Sequence, residues 1–158
     1  ELIRLFFLKK IKNQTEVLRS MLNKKDFIPI PGCFDAISAK LIEQSNFEVT
    51  FMSGFATSAS KIGSPDLGLL TFSEVLNQAT NICNAIDIPM IVDADTGYGN
   101  AMNIRRTVME CSRAGCAGIL IEDQLAPKRC GHTPGKEVID RDEAYDRIRA
   151  AKDMKDEG

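Results

Sequence analysis

A chain of 158 residues, 44% hydrophobic and 27% charged with a formal net charge of −2, has an ordinary globular composition. It is not basic enough to suggest a nucleic-acid partner. Five cysteines, an odd number with no CxxC pair and no regular spacing, argue against a disulfide framework and for a reducing compartment.

The predicted elements begin with an N-terminal helical segment, residues 1–26. Leu2 to Leu8 is an apolar run of only seven residues, broken by Arg4, against roughly 20 for a bilayer span. It predicts packing onto a neighbouring element or a second subunit, and no membrane partner. Cytoplasm is the expected compartment, with an organelle left open because the chain begins at Glu1 rather than methionine. Val17, Leu18, Met21 and Leu22 recur at helical spacing between Gln14 and Lys25, with Asn13 as N-cap.

From residue 27 the pattern alternates. Phe27 to Pro31, closed by Gly32, reads as the first strand, and Asp35 to Gln44 as a helix. Glu48 to Met52 is the second strand, ending in Ser53 and Gly54 and followed by the small-residue run ATSAS. Two readings of that run stand: small residues that let a ligand approach backbone N–H groups, or a flexible surface loop. Ser64 to Gly68 has turn chemistry, and Thr71 or Ser73 caps a helix reaching about Ala85 with Glu74 in its first turn. In Ile88 to Asn100, IPMIVDADTGYGN, a short apolar strand, Met90 to Val92, stops at Asp93, Ala94, Asp95 and a glycine-rich turn. Asn100 to Ala114 is a helix stopped by Gly115, and Ala117 to Ile121 is a fourth strand that also ends in acids, Glu122 and Asp123. A polar loop, Gln124 to Lys136, and a charged helix from about Arg141 to Lys155 follow.

Strands alternating with helices predict parallel βαβ units. Polar residues collect after strands two, three and four, the pattern of an α/β fold of the (β/α)8 TIM-barrel type. A whole barrel takes about 250 residues, so residues 27–158 read as its N-terminal half, about four βα units. Half a barrel has two raw edges, and a longer protein is expected. Asp93 and Asp95, two apart, project to one side while the strand lasts. Two anions held that close are stabilised by a hard divalent cation, or else Asp95 caps a turn through its own backbone.

The segments SGFATSAS with PDLG, then VDADTGYGN, then IEDQLAPKRCGH, in this order, resemble the isocitrate lyase and phosphoenolpyruvate phosphonomutase superfamily over about Pro31 to Lys152. Within it they look most like the 2-methylisocitrate lyase and carboxyvinyl-carboxyphosphonate phosphorylmutase groups. The resemblance implies a barrel that binds Mg²⁺, or Mn²⁺ in its place, and a small 2-oxo or 2-hydroxy carboxylate at the strand C-termini. It also implies a homo-oligomer, a tetramer. Carried over by motif, Asp93 and Asp95 match the metal acids, with Asp93 the direct ligand; Asp66 and Glu122 match the acids that hold the ion through water. Ser53, Gly54 and Phe55 match the segment that holds the substrate carboxylate, and Lys128, Arg129, Cys130, Gly131 and His132 the mobile catalytic loop.

The implied activity is carbon–carbon cleavage of a 2-hydroxy-tricarboxylate of the 2-methylisocitrate or isocitrate type to a 2-oxo acid and succinate. Cleavage leaves an enolate or aci-carboxylate, whose charge a metal ion offsets. Cys130 is the expected acid/base, because cations beside a thiol favour its thiolate and Lys128, Arg129 and His132 flank it in sequence. Cys33, Cys83, Cys111 and Cys116 read as packing residues. One departure is Phe51, where family lyases commonly carry tyrosine. The alternatives are phosphonomutase chemistry, oxaloacetate hydrolysis or decarboxylation on the same scaffold, and, from another class, a non-catalytic binding or assembly module.

Overall fold

The computed structural model describes residues 14–157. The expectations for Leu2 to Leu8 and for Asn13 as a cap lie outside the described residues. The elements in chain order are α1 (Gln14–Lys24), β1 (Gly32–Cys33), α2 (Ala36–Gln44), β2 (Thr50–Met52), α3 (Gly54–Ile62), α4 (Phe72–Ala85), β3 (Met90–Asp93), α5 (Ala101–Arg113), β4 (Gly118–Leu120) and α6 (Arg141–Glu157). The four strands form one sheet in the order β1-β2-β3-β4, and every pair is parallel. Chain order and spatial order coincide, as they do along the wall of a (β/α)8 barrel, and the fold is the opening part of that barrel type.

Two expectations are corrected. The first strand is Gly32–Cys33 and not Phe27 to Pro31. Pro29 and Pro31 have no N–H to give a ladder, so this segment only approaches the sheet: the Pro31 carbonyl accepts from the Phe51 amide at 3.1 Å and the Thr50 hydroxyl at 2.9 Å, while Phe27 is 80% exposed. The second correction is the ATSAS run, which is neither a loop nor an open anion cradle but part of α3. Ser53 caps that helix by accepting from the Ala56 amide at 3.2 Å, and Gly63 closes it with φ +62°. A capped start and a left-handed glycine end outweigh the weak helix propensity of Ser and Thr.

Three further helix starts carry recognisable caps. Asp35, Thr71 and Asn100 each accept from a backbone amide of the first turn in a capping box, so Thr71, and not Ser73, begins α4. The sheet is covered by a core in which Met52, Met90 and Val92 meet Ala39, Val75 and Ile82 from the helices. Cys33, Cys111 and Cys116 are buried in the same cluster and Cys83 packs against it; no disulfide links them. Ile91 points to the opposite face and joins Leu18 of α1 with Val49 and Ala117. Alternate residues of β3 are thus spent on two cores, and Asp93, two beyond Ile91, emerges at the strand's carboxyl end.

Candidate active site

Three carboxylates converge at the carboxyl ends of β2 and β3. One oxygen each from Asp66, Asp93 and Asp95 lies within 4.8 Å of the others. Each arrives by a different device. Asp66 sits in the turn after α3, and that turn is pinned to the helix because the buried Ser58 hydroxyl donates to the Ser64 carbonyl at 2.9 Å and to that of Pro65 at 3.2 Å. Asp93 is the last residue of β3. Asp95 is beyond the strand and does not reach the group by strand alternation: its backbone is left-handed, φ +49°, which turns the chain back. Nor does Asp95 cap its own turn; the Asp93 side chain does, accepting from the Asp95 amide at 3.1 Å.

Asp93 accepts a second amide, that of Gly54 at 3.2 Å. A β-carbon at position 54 would stand 2.7 Å from the Asp93 carboxylate, closer than atoms pack. Glycine is required there so that the N-terminus of α3 can approach the acid. Burial pushes the Asp93 carboxyl above its ordinary range, against the pull of Lys128 and of the two amide bonds. Glu122 is also shifted upward, by burial first, with Lys128 opposing and Asp93 adding to it.

The loop after β4 reaches into this group. The Lys128 side chain is 3% exposed, and its ammonium lies 3.0 Å from Asp66 Oδ1 and 4.0 Å from Glu122 Oε1 and bonds to Asp95. Burial works against that charge, but the Asp95 carboxylate, with Asp66 and Asp93, outweighs it and holds the amine above its ordinary pKa. Gln124 organises the loop around the lysine: its amide donates to Glu122 at 2.6 Å and to the Arg129 carbonyl at 3.0 Å, and its carbonyl accepts from the Arg129 amide at 3.1 Å. Cys130 is 6% exposed and Arg129, Gly131 and His132 are exposed; His132 meets the Phe55 ring edge to face, centroids 6.3 Å apart. The structure therefore gathers Asp66, Asp93, Asp95, Glu122, Gly54 and Lys128 at one point. Among the described residues no hydrogen bond ties the Cys130 thiol to that group.

Sequence reading passed over Gln124, Thr57, Tyr98 and Arg147. Gln124 stood in plain sight after IED. Arg147 of α6 donates to the Thr96 carbonyl at 3.2 Å and to Glu143 at 2.7 Å, which fastens the turn between Asp95 and Tyr98, and no local pattern marks a contact across 51 residues. The Tyr98 hydroxyl is shielded beside the acids, and burial, with the charges of Asp95 and Asp93, keeps the phenol protonated.

The donor set suits a hard cation. It is all carboxylate oxygen, at strand ends, and it already draws the chain's own ammonium into its centre. The pattern of the family described as phosphoenolpyruvate phosphomutase matches residues 18–158. The chain belongs to that family, the phosphoenolpyruvate mutase and isocitrate lyase superfamily. It is 43% identical to a 2,3-dimethylmalate lyase of Eubacterium barkeri, covering 90% of this chain and 50% of that protein. It is 44% identical to a 2-methylisocitrate lyase of Aeropyrum pernix, covering 85% of this chain and 44% of the relative. A solved phosphonopyruvate hydrolase in complex with oxalate and Mg²⁺ superposes with a TM-score of 0.81 at 32% identity, covering 89% of this chain and 48% of that one. The chain thus spans about half the length of the curated relatives it matches. Lyases, mutases and hydrolases share this superfamily, and no described helix is long and apolar enough to cross a membrane.

Proposed function

We propose that this chain carries the metal-binding half of a carbon–carbon lyase that splits a 2-hydroxy-tricarboxylate of the 2-methylisocitrate or isocitrate type into a 2-oxo acid and succinate. The observation that carries the reading is the convergence of Asp66, Asp93 and Asp95 with Glu122 beneath a loop that bears both Lys128 and Cys130. The acids would hold Mg²⁺, or Mn²⁺ in its place. That ion would polarise substrate oxygens and offset the negative charge that develops on cleavage. The oxalate and Mg²⁺ named with the hydrolase support this choice of ion and of a small dicarboxylate-like ligand.

The chain's own groups take the remaining tasks. The Phe55 amide at the start of α3 and the Ser53 hydroxyl would bind a substrate carboxylate, since a helix N-terminus favours an anion, and the Gly54 amide, which donates to Asp93 here, would join them by leaving that acid. Cys130 would hold and deliver the proton to the carbon released by cleavage, with His132 and Lys128 on the same loop and Arg129 and Gly131 as substrate contacts. The loop is docked on the acids through Lys128 and on Phe55 through His132, and these contacts would part for it to lift and admit substrate. In this reading residues 1–26 form the N-terminal helical segment, residues 27–158 the first half of the barrel, and the whole protein a cytoplasmic homotetramer.

The test is Mg²⁺-dependent release of 2-oxo acid from 2-methylisocitrate and isocitrate by the full-length protein, beside Cys130→Ser. Cleavage that needs the metal and collapses in the variant supports the lyase. Metal binding without cleavage of either tricarboxylate moves the reading to phosphonomutase or oxaloacetate chemistry, which the family name and the hydrolase relative favour next. Absence of metal binding leaves a non-catalytic module.

A further inference from the structure

Thr57 lies on α3 and is 1% exposed, and its hydroxyl has no hydrogen-bond partner among the described residues. The Tyr98 hydroxyl is shielded from solvent and has none among them either. Both line one cavity of about 10 Å³ with Gly54, Asp66, Asp93 and Asp95. Buried hydroxyls left without partners are costly, and two of them on one wall call for a common explanation.

The chemistry of the wall is complementary to one species. Two O–H groups can donate into the cavity, and the carboxylates opposite can only accept. Among the described residues neither hydroxyl makes a well-formed hydrogen bond to a carboxylate, although the Tyr98 phenol, kept protonated first by burial, stands close enough to Asp95 for that charge to add to the effect. A molecule that accepts twice and donates twice satisfies both sides, and the volume fits a single water. The two side chains are also held in place. Thr57 is anchored in the first turn of α3 by its amide bond to the Ser53 carbonyl at 2.9 Å. Tyr98 has a left-handed backbone, φ +62°, and its ring packs on Phe72 with centroids 5.2 Å apart.

We propose that Thr57 and Tyr98 are positioning residues of the acid site: their hydroxyls hold one ordered water against the Asp66 and Asp95 carboxylates, and through it set how those acids face a divalent cation. The consequence for the cation rests on the metal reading above; the water itself does not. Deleting either hydroxyl removes a donor to the water and leaves the acids free to turn, while the carbon framework of the wall stays in place.

The experiment uses the full-length protein and its Tyr98→Phe, Thr57→Val and Thr57→Ser variants. High-resolution crystal structures of the metal-free forms are compared with Mg²⁺ affinities from titration calorimetry. The expected result is a water within hydrogen-bond reach of both hydroxyls in the wild type and in Thr57→Ser, lost in Tyr98→Phe and Thr57→Val, with Mg²⁺ bound about tenfold more weakly by those two, the usual scale for supporting groups around a metal site. Thr57→Ser keeps the wild-type affinity, which a purely structural role for the methyl group would not allow. A wild-type cavity without ordered water overturns the proposal, as does wild-type Mg²⁺ affinity in Tyr98→Phe and Thr57→Val. If the wild type itself binds no Mg²⁺, the metal reading fails separately. The water density and the Asp66 and Asp95 orientations across the variants then decide the proposal by themselves.

Discussion

Lys128 and Asp66 are 62 residues apart in sequence, yet the lysine ammonium stands 3.0 Å from the aspartate with both side chains almost fully enclosed. The same ammonium reaches Asp95 and approaches Glu122 at 4.0 Å. A cation held by these acids would therefore compete with the lysine for one volume.

Replacing Lys128 with Met should show this competition. Removing one partner of a buried ion pair leaves the other charge uncompensated, which costs about 3–5 kcal/mol. Thermal unfolding in EDTA should place Lys128→Met well below the wild type, and saturating Mg²⁺ should narrow the gap. Equal midpoints in EDTA would show that the ammonium contributes nothing to holding the acids together.

Gly54→Ala should damage the site with little effect on the helix that carries it. Alanine is the better helix former, but its β-carbon would meet the Asp93 carboxylate at 2.7 Å and force one of them aside. A loss of about 10-fold to 100-fold in Mg²⁺ affinity is expected, read by calorimetry, with helix content by circular dichroism unchanged. An unaltered affinity would mean that Asp93 is not where the ion binds.

The raised pKa of Asp93 sets a pH dependence. Burial is its main cause, and the folded chain keeps this proton at a pH where the unfolded chain, near 3.9, has released it. The contribution to stability is therefore full below the unfolded value and lost as the pH rises through the native one. Asp93→Asn carries no such charge, so in EDTA its stability relative to the wild type should be highest near neutrality and decline as the pH falls through the native pKa. Unfolding midpoints measured across that range check the sign; a difference that grows toward acid contradicts it.

Arg147 should prove to be a clamp on the turn after Asp95. Its bond to the Thr96 carbonyl is its contact with that turn, and the loss of a part-buried hydrogen bond costs about 1 kcal/mol. In Arg147→Met, hydrogen exchange at the amides of residues 95–99 should speed up ahead of the core amides of β2 and β3. Uniform acceleration throughout the sheet would instead mark Arg147 as a general packing residue.

Much of this arrangement is legible in the sequence because it is local. Helical periodicity and caps at Asp35, Thr71 and Asn100 locate three helices to within a residue or two, and apolar runs ending in acids locate β3 and β4. The local signal fails where two elements share a residue. Pro31 looks like strand but lends only its carbonyl, and ATSAS looks like loop until Ser53 and Gly63 are recognised as its two ends. Of the site, the motif acids were visible as types and positions, whereas the placement of Lys128 among them was not. Sequence set the lysine beside Cys130; the fold sends its side chain to acids contributed by the two preceding units.

That division of labour has a kinetic corollary. Asp66 follows β2, Asp93 and Asp95 follow β3, and Glu122 and Lys128 follow β4, so no single strand–helix unit contains a cation site. The pocket exists only once Met52 lies beside Val92 and Asp93 beside Leu120, pairings that close long loops and form slowly. A cation that binds there recognises the completed register of three adjacent strands, and so acts as a lock applied after assembly and not as a template for it.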